Sequence, residues 1–391
     1  KDRQTAYIKT LVYTHRVKRM LAVHSCLSAL MIWVLSLWMP WRLFVFCVPL
    51  YYFIPWMILL LTSLVCEPLE NHIKESYVKD AQQILSQHPE LIRIGITGSY
   101  GKTSVKHILH ALLSQAYYTY MSPHSYNNLM GLTIAIRTQL QSLHQIFIAE
   151  MGADHVGEIQ RLARFIHPSM AIITAVGPQH LSTFGSQDAI LKEKMQLVEQ
   201  LPPHGIAILN YDNAYIRSYP IIHPCTVITY GIHDAHVDVR ASEITYSEKG
   251  SRFVVTCDKE RFVVETCLLG EHNVCNILAA IACAKALHVK TDLIIQAIHR
   301  LPYVEHRLQV RKMGEVTLLD DAYNSNPEGA AYALQVLKAM KGKRFLITPG
   351  FLDLGKESRQ AHITYAKQMK DCADEILLVG EYQTQDIYAT L

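Results

Sequence analysis

The stretch RIGITGSYGKTS, residues 93–104, decides how the rest of the chain is read. RIGIT at 93–97 alternates like a short strand, a glycine-rich turn follows, and VKHILHALL at 105–113 carries apolar residues at helical spacing. Strand, loop and helix in that order are what a phosphate-binding loop requires. Backbone N–H groups and the helix N-terminus face phosphate oxygens, a lysine neutralises their charge, and a hydroxyl reaches a divalent cation. On this reading Gly98, Ser99, Gly101, Lys102, Thr103 and Ser104 grip the phosphates of ATP, with Thr103 also on Mg²⁺. The full consensus has glycine at 96, where this chain has Ile96.

Downstream, short apolar runs (93–97, 146–150, 171–176, 206–209, 227–230) alternate with helical stretches (104–115, 128–141, 156–166, 186–200). That alternation predicts βαβ units and a mostly parallel sheet. Between about 235 and 270 the helical pattern gives way to β-type segments, which predicts an antiparallel excursion at the sheet edge. An Ala-rich helix is expected over 273–287, and a second α/β series follows Pro302, with strands near 316–320, 344–348 and 375–379.

Upstream, residues 20–41 and 43–66 contain no Asp, Glu, Lys or Arg, and only Arg42 separates them. Each run exceeds the roughly 20 residues that a helix needs to cross the hydrocarbon, whereas a cleavable signal has a single apolar region of about 7–15 residues. The runs predict a membrane hairpin, with a buried core hairpin, or one span plus a segment broken at Pro49 and Pro55, as alternatives. Arg16, Lys18 and Arg19 set the N-terminal side in the cytoplasm. The expected layout is thus a hairpin over 1–66 (spans about 20–41 and 43–66), a connecting helix over 67–90, an ATP-binding central domain over 91–304 and a C-terminal domain over 305–391. In fold class this is α/β: a P-loop-type, mostly parallel central domain plus a smaller α/β C-terminal domain, preceded by two transmembrane helices. The location it implies is the cell membrane, multi-pass and in contact with lipid, with the catalytic domains cytoplasmic.

Composition narrows the chemistry. A net charge of +3, from 37 basic and 34 acidic residues, lacks the excess of a nucleic-acid binder, so no nucleic-acid partner is expected. The nine cysteines form no Cys-x-x-Cys pair and the 20 histidines no His-x-x-x-His, which argues against a structural zinc. Glu150 ends an apolar run and His180 follows another, so both belong at the sheet edge where open α/β folds hold ligands. A carboxylate there suits Mg²⁺, while His180 reads equally well as a loop histidine. Lys194, flanked by Glu193 and Lys192, reads by itself as a solvated surface lysine. The segment DDAYNSNP at 320–327 either recognises a ribose or polar substrate, or is an Asx turn that caps the next helix.

Taken in order, TGSYGKTS at 97–104, SYNNLMG at 125–131, EMGADHVGEI at 150–159, GPQHLSTFGS at 177–186, ILNYDN at 208–213, GEHNVCNILAA at 270–280, HRLQV at 306–310 and DDAYNSNPEG at 320–329 resemble the Mur ligase family. These are ATP-dependent amide-bond-forming enzymes of bacterial peptidoglycan assembly. The resemblance runs from about Ile94 to the C-terminus. It implies that a precursor carboxylate is activated as an acyl phosphate and captured by an amine, here D-Ala-D-Ala or another amine added to a UDP- or lipid-linked muramoyl peptide. Two Mg²⁺ ions are implied, one on Thr103 and Glu150, the other held with His180 and a carbamylated Lys194. Lys102, Lys194 and His180 would be catalytic, while Asn273, Asn276, Arg307 and Asp321 would contact the nucleotide. Asn127, His155, Asn324 and Asn326 would contact substrate. Against the family pattern, the hairpin stands where a UDP-sugar domain is expected, Gln196 stands where an acidic residue is expected, and Leu391 falls short of the last elements of the C-terminal domain. Two other readings stay open: ATP-driven activation of a lipid-linked precursor for amidation, and a membrane-bound P-loop ATPase.

Overall fold

The computed structural model describes residues 13–38, 55–179, 181–247, 250–303, 306, 308–322, 327–352, 354–355 and 358–391. The chain divides into two compact units, residues 1–80 and 81–391. The first holds α1 (His15–Trp38) and most of α2 (Pro55–Ser86), the division falling inside α2. Within this unit Arg19 Nε donates to Glu70 Oε1 at 2.7 Å.

The expected two-span hairpin is corrected here. Among the described residues one helix, His15–Trp38, is long and apolar enough to cross a membrane. Of the second run, 43–66, only residues 55–66 are described, and they do not end as a separate apolar helix. Its described part forms the first turns of the 32-residue α2, which continues through Glu67, Glu70, Lys74, Glu75, Lys79 and Asp80. Counting uncharged residues in a row could not show that helix running on into charged sequence. The remainder, 39–54, lies outside the described residues.

The second unit is built on a nine-stranded sheet. Its strands are β1 (Ile92–Thr97), β2 (Thr119–Met121), β3 (Ile146–Glu150), β4 (Met170–Ile173), β5 (Ile206–Asn210), β6 (Thr226–Gly231), β7 (Val239–Ser247), β8 (Gly250–Cys257) and β9 (Glu260–Thr266). They run in the order β2-β3-β1-β4-β5-β6-β7-β8-β9, parallel as far as β7 and antiparallel over the last two pairings. β3 is buried at every position, which suits a strand covered on both faces and explains its unbroken apolar run. Between β1 and β2 lies α3 (Lys102–Leu113), and the α4 (Leu129–Gln139) segment leads back to β3. Ser114 to Tyr117 close the turn after α3, and Val105, Ile108, Leu109 and Leu112 bury its inner stripe.

α5 (Glu158–Ile166), α6 (Leu181–Phe184), α7 (Gln187–Glu199) and α8 (Ala214–Ser218) complete the crossovers, and α9 (Glu271–Ala286) follows the sheet. α9 shares one core with the α3 stripe through Ala279, Ala280, Ala282, Cys283 and Ala284. Its small side chains let helix backbones approach closely at little entropic cost. After α10 (Thr291–His299) come an antiparallel pair, β10 (Gln309–Met313) and β11 (Val316–Asp320), then α11 (Pro327–Ala339). A parallel pair, β12 (Phe345–Thr348) and β13 (Glu375–Leu378), alternates with α12 (Ser358–Cys372) and α13 (Glu381–Thr390). A second core of Leu334, Phe351, Tyr365, Met369 and Ile387 sits there. Leu269, Leu308 and Val336 pack as a small cluster joining this region to the end of the large sheet.

Candidate active site

The C-terminal end of β1 lies where its neighbours part, β3 on one side and β4 on the other. Crevices at such switch points are where open α/β sheets take ligands. The loop that leaves β1 there has no room for side chains at two positions. Gly98 has φ +152, and a Cβ on it would stand 2.1 Å from Thr174 Oγ1 and 3.0 Å from Ala175 N. Gly101 has φ +80, and its Cβ would stand 2.6 Å from Asn276 Oδ1. Ser99 N donates to Ala175 O at 2.7 Å, and the Thr174 hydroxyl donates to Tyr100 O. The end of β4 therefore holds the loop in shape. Replacing Gly98 by alanine is expected to strain this contact by about 1–3 kcal/mol and to weaken nucleotide binding at least roughly tenfold. Calorimetric titration with ATP, alongside a thermal melt, checks both.

Lys102 opens α3, its ammonium folded back on the loop at 2.5 Å from Gly98 O and 3.3 Å from Ser99 O. Those carbonyls are weak holds for a charge that a phosphate would satisfy better. One residue on, Thr103 Oγ1 donates to Glu150 Oε1 at 3.1 Å. Glu150 comes from the end of β3, as its place after an apolar run predicts, and its side chain is 2 % exposed. Its other oxygen, Oε2, lies 2.9 Å from Lys106 Nζ as an ion pair without the geometry of a hydrogen bond, and so keeps acceptor capacity unused. A hydroxyl and a carboxylate with spare oxygens beside a phosphate loop form the donor set that Mg²⁺ takes together with nucleotide phosphates.

Beside the loop is a cavity of about 290 Å³, lined by Tyr100, Gly101, Ser104, Thr174, Asn210, Asn213 and Asn276 on the sheet side, and by Asp321, Gly329 and Tyr332 from the C-terminal region. Asn210 Nδ2 donates to Thr174 O at 2.8 Å and Asn213 Nδ2 to Val176 O at 2.9 Å, tying the end of β5 and the start of α8 to the strand end that shapes the loop. His272 and Tyr332, also on the wall, face each other with ring centroids 5.6 Å apart. Asp321 accepts from Leu308 N at 3.0 Å and so spans the entry into the C-terminal region. Asn276 lies on the wall, and Asn273 Nδ2 donates to Leu269 O at 2.8 Å.

Lys194 is not a solvated lysine. Its side chain is 3 % exposed on α7, and Nζ sits 5.9 Å from the centre of the Phe184 ring. Burial, reinforced by the nearby charge of Lys102, pushes its pKa down to about 7. Its neighbour Glu193 accepts from Gly157 N and Ile159 N at 2.8 and 2.7 Å and caps the start of α5. Gln196 bonds Gln160 on that same helix. Asn127 packs its amide against Gly152, whose N donates to Asn127 O at 2.8 Å, which brings the 125–131 loop to the residues after Glu150. His155 is exposed near the start of α5, its N donating to Glu158 Oε2 at 3.0 Å. His180, Arg307, Asn324 and Asn326 lie outside the described residues. Among the described residues no group of three or more His, Cys, Asp and Glu forms a metal cluster.

Sequence reasoning named no role for Lys106, Thr174, Asn210, Asn213 or Tyr332. The ILNYDN motif was the available signal for the two asparagines. The others depend on which elements meet in space.

Residues 96–284 match the Mur ligase middle domain and residues 306–391 the Mur ligase, glutamate ligase domain. The chain is 31 % identical over 328 residues to UDP-N-acetylmuramoyl-tripeptide–D-alanyl-D-alanine ligase of Escherichia coli, covering 81 % of this chain and 72 % of that protein. In structure it resembles MurF from Acinetobacter baumannii, with a TM-score of 0.74 and 27 % identity over 81 % of this chain and 69 % of that one. MurF ligase from Thermotoga maritima, solved in complex with ADP, shares the fold at a TM-score of 0.75 and 24 % identity, over 80 % and 72 % of the two chains. The multi-pass location in the cell membrane is corrected with the hairpin. The family matches begin only at residue 96, and the likeness is to ligases rather than to a membrane assembly. Both domains of one family, matched in chain order around a phosphate loop, establish that this chain belongs to the Mur ligase family.

Proposed function

We propose that the chain joins D-alanyl-D-alanine to the terminal carboxylate of a UDP-N-acetylmuramoyl-tripeptide in a reaction driven by ATP. The observation that carries this reading is the gathering of Lys102, Thr103, Glu150 and a buried Lys194 at one sheet edge, in a chain 31 % identical to a ligase of that name. In this reaction a carboxylate oxygen attacks the γ-phosphorus, ADP leaves, and the amine then displaces phosphate from the acyl carbon. Both the carboxylate and the phosphate are anionic, so their approach needs fixed positive charge in a site with little water. Lys102 supplies part of that charge from the phosphate loop itself. Mg²⁺, when bound, adds the rest.

Within the same proposal, Thr103 and Glu150 hold one ion and His180 helps to hold a second. Lys194 is suited to react with CO₂, because carbamate formation consumes the uncharged amine and burial favours that form. Asn276 and Asp321 line the nucleotide cavity, with Arg307 assigned to phosphate. Asn127 and His155 are assigned to the acceptor peptide, and Asn324 and Asn326 to the incoming amine. To test the substrate assignment, the protein is incubated with ATP, Mg²⁺, the UDP-linked tripeptide and a panel of single amino acids and dipeptides, and the products are weighed by mass spectrometry. A mass gain with D-Ala-D-Ala well above that with any other amine is expected; preferential joining of a single amino acid would overturn the dipeptide assignment.

A further inference from the structure

The ion pair between Lys106 and Glu150 is buried. Lys106 lies one helical turn after Lys102 on α3, and its side chain is fully buried. A buried ammonium is costly unless it is paired and hydrogen-bonded. Both conditions are met: Nζ is 2.9 Å from Glu150 Oε2 and donates to His124 O at 2.5 Å. His124 has φ +45, a left-handed backbone that side chains seldom adopt, so the lysine also fixes the loop that leads to Asn127. Glu150 thus has its two oxygens divided. Oε1 meets Thr103 on the side of the phosphate loop, and Oε2 faces the Lys106 ammonium.

We propose that Lys106 is a positioning residue that balances the charge of Glu150 before metal arrives, so that the divalent cation binds well only together with nucleotide phosphates. This rests on the reading of Thr103 and Glu150 as a Mg²⁺ site. The electrostatics give the direction. A cation approaching Glu150 meets a carboxylate already neutralised by an ammonium that cannot retreat into water, and like charges at this range repel strongly in a buried setting. Phosphates of a bound nucleotide supply the missing negative charge. Metal therefore does not settle in the empty site, and the carboxylate stays oriented without it. A salt bridge that served only to hold the fold together would make no such demand on the order of binding.

Mn²⁺ binding followed by electron paramagnetic resonance, on the full chain with and without ADP, tests this. Wild type is expected to bind Mn²⁺ weakly alone and tightly with ADP. Lys106→Met is expected to bind Mn²⁺ without nucleotide roughly tenfold more tightly or better than wild type, and to show a Mn²⁺-dependent rise in thermal midpoint that wild type lacks. Lys106→Arg, which keeps the charge, should behave as wild type. If the methionine variant does not fold, Lys106→Gln serves in its place. Nucleotide-free affinity unchanged or weakened in the neutral variants, while Glu150→Gln still abolishes binding with ADP, would overturn the role of Lys106. If Glu150→Gln leaves binding with ADP intact, the metal-site reading itself fails.

Discussion

Lys102→Ala is expected to slow ATP-dependent ligation on the order of 10³-fold, the scale of losing one preorganised charged donor to a transferring phosphoryl group. Its fold should survive almost intact. Lys102 is only half-buried and sits in the first turn of α3, so the loss in stability should stay near or below about 1 kcal/mol. Steady-state kinetics and a thermal melt on the same preparation separate the two effects. Ligation at full rate in this variant would remove the phosphate loop from the reaction, and with it the assignment of Gly98, Ser99, Gly101 and Thr103.

Lys194→Met should be comparably damaging, on the order of 10²-fold or more, and it carries a pH signature. An ordinary lysine holds its proton to about pH 10.4, whereas burial and the charge of Lys102 bring Lys194 down to about 7. Between those values the unfolded chain binds a proton that the folded chain does not, so this group makes stability rise with pH across that window. In CO₂-free buffer the methionine variant should lose that rise. The uncharged amine is also the form that takes up CO₂. Wild-type ligation should fall in CO₂-depleted buffer and recover with bicarbonate, more completely at about pH 8 than at about pH 6. The methionine variant should ignore bicarbonate. Indifference of the wild type to CO₂ would leave Lys194 as a buried amine with no carbamate role.

The sheet was legible because its strands are buried on both faces, which turns them into short unbroken apolar runs such as 146–150 and 206–209. Glu150 was legible for the same reason, as the charge that ends a buried strand. The lysines were not. Lys194 and Lys106 sit beside other polar residues on their helices, and a local pattern cannot say whether that face meets solvent or the end of a parallel sheet. The family resemblance singled out Lys194, and only the packed structure singled out Lys106. In its described part, 55–66, the second apolar run did not mark the end of a helix, because length and lack of charge do not fix where a helix ends, and α2 runs on through Pro68 into charged sequence.

The most direct measurement follows oxygen. A UDP-linked tripeptide whose terminal carboxylate carries ¹⁸O is ligated with unlabelled ATP, and the phosphate released is analysed by mass spectrometry. If the carboxylate attacks the γ-phosphorus and phosphate is later displaced from the acyl carbon, each phosphate released carries one labelled oxygen from the peptide. Phosphate free of label, with ligated product still forming, would contradict activation of the carboxylate by phosphoryl transfer.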